Sequence, residues 1–296
     1  MSENYLMGEI LRNTFSESLF FNSLEKIERN EDERFVHSLE NKITKYKNMP
    51  EVEYLFNTMG FRSDEFKTDH EKEHILFAGC SETEGVGGNL DSCWSYMLYS
   101  EMLKEKDLSG FFNIGRSGWG YDRIISNIMS YINSYGKPDK IFILFPNLGR
   151  FYGWDKSKSK YSEMFVYKSS IPPNVDSSQK EIYPDTKKDL AIEEHRRNFI
   201  SFTMIMRIFE EYCISSGIKL FWSTWNHYDS QNLEKVGIFK NYVPMNSRSF
   251  FKENEDYLLG ISKDREDWGS KRDGHAGYLL HLSWSKRFFE QWSLTK

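Results

Sequence analysis

The sequence predicts an α/β fold of three layers, α/β/α, with a parallel sheet between two sets of helices. Two observations carry this. Short apolar runs recur from residue 74 onward, HILFAG at 74–79, GFFNIG at 110–115, KIFILF at 140–145 and IKLFWST at 218–224. These runs are continuous rather than alternating, which marks strands covered on both faces. Amphipathic stretches then separate or follow them, with helices expected at 91–106, 121–135, about 190–216 and 278–292. Repeated strand-then-helix order needs crossovers, and crossovers give parallel neighbours.

Taken in order, the first seventy residues read as helical, because Phe35, Leu39, Ile43 and Tyr46 recur at spacings of three and four between charged faces. They form an expected N-terminal helical extension, 1–72, ahead of an α/β domain, 73–296. Within that domain 149–189 is a long polar insertion, too long for an ordinary connection, and a lid or binding wall is weighed equally against a surface insert.

Composition narrows the function classes. The chain has 296 residues, 39% hydrophobic and 16% aromatic, enough for a large core and against disorder. Lys and Arg number 39 against 44 Asp and Glu, for a net charge of −5, so no basic excess exists to bind nucleic acid or an anionic membrane. The three cysteines, Cys80, Cys93 and Cys213, show neither a C-x-x-C pair nor a His/Cys cluster, so no metal site is expected and reduced, buried thiols are. The N-terminus lacks a basic segment followed by an apolar stretch, and no run approaches membrane-spanning length. A cytoplasmic protein, or one carried in an assembly such as a virion, is expected.

Ligands of such sheets sit at the C-terminal ends of the strands, so the residues there are the first candidates for chemistry. GCSETEG places Ser81 directly after the first strand, as a nucleophile or as a helix cap. NIGRSG offers the backbone N–H of Gly118, and PN offers the side-chain amide of Asn147. With the N–H of Ser81 these are three donors for an oxyanion hole, although a turn glycine and a turn asparagine are each the more ordinary reading. Asp273 and His275 in RDGHAG supply a carboxylate and a base. His227 in TWNHYD is a rival base, and His281 on the last helix reads as a surface residue. Cys80 is an alternative thiol nucleophile, but neighbouring residues at a strand end face opposite sides, and it is expected to pack beneath the sheet.

These blocks resemble those of the SGNH hydrolases, the GDSL-type esterases and lipases. GCSETEG is similar to the nucleophile block with Cys80 where Asp is usual, NIGRSG to the glycine block, PN to the asparagine block and RDGHAG to the terminal block. The GCS variant and IKLFWSTW are similar to uncharacterised SGNH-like proteins of phage and environmental bacteria. The resemblance implies a flavodoxin-like, five-stranded parallel sheet and no cofactor. It further implies Ser81 as nucleophile, His275 as base with Asp273 holding it, and Ser81, Gly118 and Asn147 as oxyanion donors. The spacing departs from the usual Asp-x-x-His, since Asp273 and His275 are two apart and need a tight turn rather than a helical one.

Trp119, Phe151, Tyr152, Trp154 and Trp225 follow the candidate groups and suit a sugar ring, whereas Trp94 and Trp222 read as core. The expected activity is removal of an acyl or acetyl group, with a small-molecule or glycan ester as substrate. The rival expectation is a non-catalytic SGNH-like binding or assembly protein, for example in a phage particle, with a partner on the N-terminal extension. A flavodoxin-like cofactor binder ranks third, since the first loop lacks a hydroxyl-rich phosphate cradle.

Overall fold

The computed structural model describes residues 24, 26–27, 35–37, 44–46, 49–67, 69, 71–155, 160–165, 185–245 and 275–295. Of these, 35–37, 44–46, 49–51, 151–155, 160–165, 185–195 and 227–228 are described by their backbone alone.

The N-terminal region departs from the helical expectation. It forms an antiparallel sheet of β1 (Phe35–His37), β2 (Thr44–Tyr46) and β3 (Met49–Tyr54). Phe35 pairs with Tyr46, and Thr44 with Tyr54. The segment is rich in Val, Thr, Tyr and Phe, whose branched and aromatic side chains favour a pleated surface, and strand pairing overrides a short helical period. The region also joins the main core, because Phe61 and Phe66 are buried among the residues under the central sheet.

The α/β expectation holds. β4 (Ile75–Gly79) runs into a helical turn, α1 (Ser81–Glu84), followed by α2 (Trp94–Leu103), β5 (Phe112–Asn113), α3 (Tyr121–Tyr135) and β6 (Lys140–Phe145). The hairpin β7 (Arg150–Asp155) and β8 (Lys160–Phe165) lies in the expected insertion. After it come α4 (Asp185–Ser215), β9 (Lys219–Thr224), α5 (His227–Val236) and α6 (Tyr278–Ser293). The central sheet has the order β5-β4-β6-β9 and every pairing in it is parallel. A fifth position beside β9 is rudimentary among the described residues, a bridge of Trp222 with Tyr242. Buried Glu210 secures it by accepting from both Trp222 Nε1 at 2.9 Å and the Asn241 N–H at 3.0 Å.

Strand alternation sorts the core into two layers. Leu76, Ala78, Ile141, Ile143, Phe145, Leu220 and Trp222 pack against α3 and α4. Ile75, Phe77, Phe142, Leu144 and Phe221 pack against α2 and α6. On the second face the register places Phe77 opposite Phe142 and Phe142 opposite Phe221. Their rings stack at 5.6 and 4.8 Å, tying three strands together. Such ring pairs add about 0.5–1.5 kcal/mol each beyond burial. Trp94 and Trp222 are fully buried, as expected. So are the three thiols, all free. No helix among the described residues is long and apolar enough to cross a membrane.

Candidate active site

Ser81 stands at the mouth of the sheet because β4 ends in a turn that closes on itself. The Cys80 carbonyl accepts the N–H groups of Thr83 and Glu84 at 3.0 and 2.9 Å, and the Gly85 N–H returns to the Ser81 carbonyl at 2.9 Å. Gly85 has φ +73°, and a Cβ there would lie 1.9 Å from Cys93 Sγ. A side chain at 85 is therefore excluded twice, by conformation and by space. The N-terminal region holds the turn from behind. Buried Arg62 donates through Nη1 to the Gly85 and Gly88 carbonyls at 2.7 and 2.9 Å and through Nη2 to the Glu53 carbonyl at 3.0 Å. Its guanidinium lies 4.1 Å from the Tyr54 ring centre, and the Tyr54 hydroxyl accepts the Gly87 N–H at 2.8 Å.

Ser81 does not cap this turn. Cys80 occupies the N-cap position without a side-chain cap, and Ser81 is the first helical residue, nearly buried at 7% exposure. Its hydroxyl points to Cys80 Sγ at 3.9 Å, the one side-chain hydrogen bond it makes among the described residues. The thiol of Cys80 is fully buried and receives Trp225 Nε1 at 3.5 Å. Burial raises its pKa, with Arg150 opposing, so the thiol nucleophile has no support.

The glycine block folds onto α1. Asn113, ending β5, donates its Nδ2 to the Thr83 carbonyl at 2.8 Å and accepts the Gly115 N–H at 2.8 Å. The Arg116 N–H reaches the Gly79 carbonyl at 3.1 Å. A turn then closes from the Trp119 N–H to the Arg116 carbonyl at 3.3 Å, with Gly118 at φ +93°, a conformation in which glycine is the unstrained residue. Beneath this turn lies Glu84, wholly buried, which accepts the Ser117 N–H at 2.6 Å and pairs with Arg116 at 3.5 Å.

The asparagine block follows β6. Asn147 Oδ1 accepts the Gly149 N–H at 2.7 Å, which leaves Nδ2 as the end that can donate outward. Buried Asp229 on α5 accepts the Leu148 N–H at 2.8 Å, and burial raises its pKa to about 6. Ser81, Gly118 and Asn147 thus follow three neighbouring strands, β4, β5 and β6. Among the described residues neither the two backbone N–H groups nor Asn147 Nδ2 has an acceptor.

The C-terminal segment meets α1 through Glu82. The Ala276 N–H lies 3.3 and 3.4 Å from the two carboxylate oxygens, which brings the half-buried His275 beside the Ser81 turn. Asp273 lies outside the described residues. His227 opens α5, with its side chain outside the described set.

His281 departs from its surface expectation and is 4% exposed. Its Nδ1 accepts the Trp94 N–H at 3.1 Å, capping α2 from a distant helix. The proton therefore sits on Nε2, 3.5 Å from Glu82 Oε2. Burial drives the His281 pKa down to about 3, so the ring is neutral and its contact with Glu82 is a dipolar one rather than an ion pair.

Of the expected aromatic contacts, Trp225 touches Cys80, next to Ser81. Trp119 is half-buried and meets Phe61 edge-on at 6.2 Å. Phe151, Tyr152 and Trp154 lie on β7, with side chains outside the described set. The motif reading missed Glu82, Glu84, Asp229 and Arg62, and placed His281 on the surface. The two glutamates stand inside GCSETEG itself, and two carboxylates in a turn that must be buried were the available signal.

No family model matches the sequence, and no curated protein matches it. Among the solved structures similar to it are two of the G-D-S-L family. One is a member of the lipolytic protein G-D-S-L family from Veillonella parvula, 12% identical over 75% of this chain and 98% of that one, with a TM-score of 0.38. The other is a G-D-S-L family structure from Desulfitobacterium hafniense, 14% identical over 73% and 97%, with a TM-score of 0.33. Neither overlap assigns a residue a role.

Proposed function

We propose that the protein is a serine hydrolase that removes an acyl or acetyl group from an ester through a covalent acyl-enzyme. One observation carries this reading: three uncommitted donors, on Ser81, Gly118 and Asn147, follow adjacent strands around a serine that caps nothing. Ser81 Oγ attacks the ester carbonyl as His275 takes its proton. The carbonyl oxygen gains charge and accepts from the Ser81 and Gly118 N–H groups and from Asn147 Nδ2. As the intermediate collapses, His275 returns the proton to the departing alcohol; a water activated in the same way then frees the acid. Asp273 orients His275. Each oxyanion donor contributes about 10²–10³ in rate in comparable sites. The ester is on a carbohydrate, with Trp119, Phe151, Tyr152, Trp154 and Trp225 offering flat apolar faces to a sugar ring.

One observation favours a non-catalytic binding or assembly role: the Ser81 hydroxyl points to a thiol rather than to a histidine. A single experiment separates the two. A fluorophosphonate probe labels the hydrolase, Ser81→Ala abolishes that labelling, and a nitrophenyl acetate is hydrolysed. Absence of both labelling and hydrolysis in the wild type rejects the hydrolase.

A further inference from the structure

Two buried carboxylates outside the Ser-His-Asp set act on the site in the same way. Glu84 Oε2 accepts the Ser117 N–H at 2.6 Å, and Asp229 Oδ2 accepts the Leu148 N–H at 2.8 Å. In each case the N–H held belongs to the residue adjoining a candidate oxyanion donor, Gly118 after Ser117 and Asn147 before Leu148. The carboxylates come from different elements, Glu84 from α1 and Asp229 from α5, and both have 0% exposure.

Burying a carboxylate against a backbone N–H is an expensive arrangement, because the charged group loses its hydration. An amide or a hydroxyl would accept the same N–H at lower cost. What the carboxylate adds is a short, strong and directional bond, which fixes the peptide it grips. Both gripped peptides need fixing. The Gly118 turn contains a residue at φ +93° that relaxes easily, and Asn147 lies in a connection between β6 and β7. A donor aimed at a developing oxyanion stabilises the transition state only if it is already in place.

We infer that Glu84 and Asp229 are positioning residues that hold the two loop-borne oxyanion donors, Glu84 acting on Gly118 through Ser117 and Asp229 acting on Asn147 through Leu148. This inference rests on the hydrolase reading. Arg116, 3.5 Å from Glu84, offsets the negative charge that Glu84 would otherwise place near the oxyanion.

The test is steady-state hydrolysis of a nitrophenyl acetate by variants whose folding is checked by circular dichroism. Glu84→Ala and Asp229→Ala should each lower kcat by about 30-fold, with KM within about threefold, as expected for a misplaced rather than deleted donor. Glu84→Gln and Asp229→Asn keep an accepting oxygen and should recover to within about fivefold of wild type. Glu84→Asp keeps the charge but withdraws the oxygens by one methylene, and should lose as much as Glu84→Ala; it serves if the alanine variant does not fold. A double-mutant cycle separates positioning from general support. In an Asn147→Ala background, Asp229→Ala should cost less than about twofold more, while Glu84→Ala should keep its full effect. A wild-type kcat in Glu84→Asp, a kcat within about twofold of wild type in Asp229→Ala, or additive losses for Asp229 and Asn147 overturns the inference. If the wild type neither labels nor turns over, the hydrolase reading fails and takes the inference with it. If the wild type is active and the variants match it, the inference alone fails.

Discussion

The two sides of the candidate site are built by different means. On the strand side, Ser81, Gly118 and Asn147 are set by the ends of three paired strands, and buried carboxylates grip the loops at 2.6 and 2.8 Å. On the C-terminal side, the described attachment of the His275 segment to α1 is the bond from Ala276 N–H to Glu82, at 3.3 to 3.4 Å. In the proposed reading the shorter bonds, 2.6 and 2.8 Å, lie on the side that would receive charge, and the longer one, at 3.3 to 3.4 Å, on the side that would move a proton. Electrostatic stabilisation depends on donors that do not reorganise, whereas a base can tighten when substrate arrives.

Four measurements break or sharpen that contrast. The largest effect is expected at the base. His275→Ala should lower kcat for a nitrophenyl acetate by about 10³-fold, while His227→Ala leaves it unchanged. The reverse result would move the proton transfer to the start of α5.

Next comes stability against pH, where the two sides titrate in opposite senses. The folded pKa of His281 is depressed from 6.5 to about 3, so its contribution is present above pH 6.5 and is lost as pH falls toward 3. The folded pKa of Asp229 is raised from 3.8 to about 6, so its contribution is present below pH 3.8 and is lost as pH rises through 6. Between about pH 6.5 and 4 the two largely cancel in the wild type. Asp229→Asn should uncover a loss of about 3 kcal/mol over that range, read from urea midpoints. Glu82, His275 and Arg62 face or lie near the imidazole of His281. A pH profile unchanged by Asp229→Asn would remove the carboxylate from this account.

Asn147→Ala should then lower kcat by about 10²-fold with little change in KM, the signature of a donor used in the transition state. The smallest effect belongs to Glu82. Glu82→Ala releases the Ala276 N–H and should cost about tenfold in kcat, with faster amide exchange at Ala276 as the independent readout. Equal losses for Glu82→Ala and Asn147→Ala would show the two sides to be equally demanding.

The division between what was and was not legible in the sequence has a physical reason. Lys140–Phe145 and Tyr121–Tyr135 were read to the residue because an apolar run and a helical period are local. The candidate donors were read because each follows such a run directly. The charged supports were not, because their partners are distant: Ser117 is 33 residues from Glu84, and Leu148 is 81 from Asp229. A single histidine on an amphipathic helix gives no sign that it caps a helix 187 residues away, which is what His281 does. In the N-terminal region the local signal pointed to the wrong period, and pairing with the next strand decided the outcome.

Arg62 gives the fold a consequence for anyone who would shorten it. A protein trimmed to begin at residue 73 would keep every motif residue and all four parallel strands. It would lose the guanidinium that ties Gly85 and Gly88 together, the Tyr54 hydroxyl on Gly87, and the Phe61 and Phe66 rings beneath the sheet. The smallest fragment that keeps this packing must therefore reach back through β3, and the minimal folding unit is larger than the one its motifs outline.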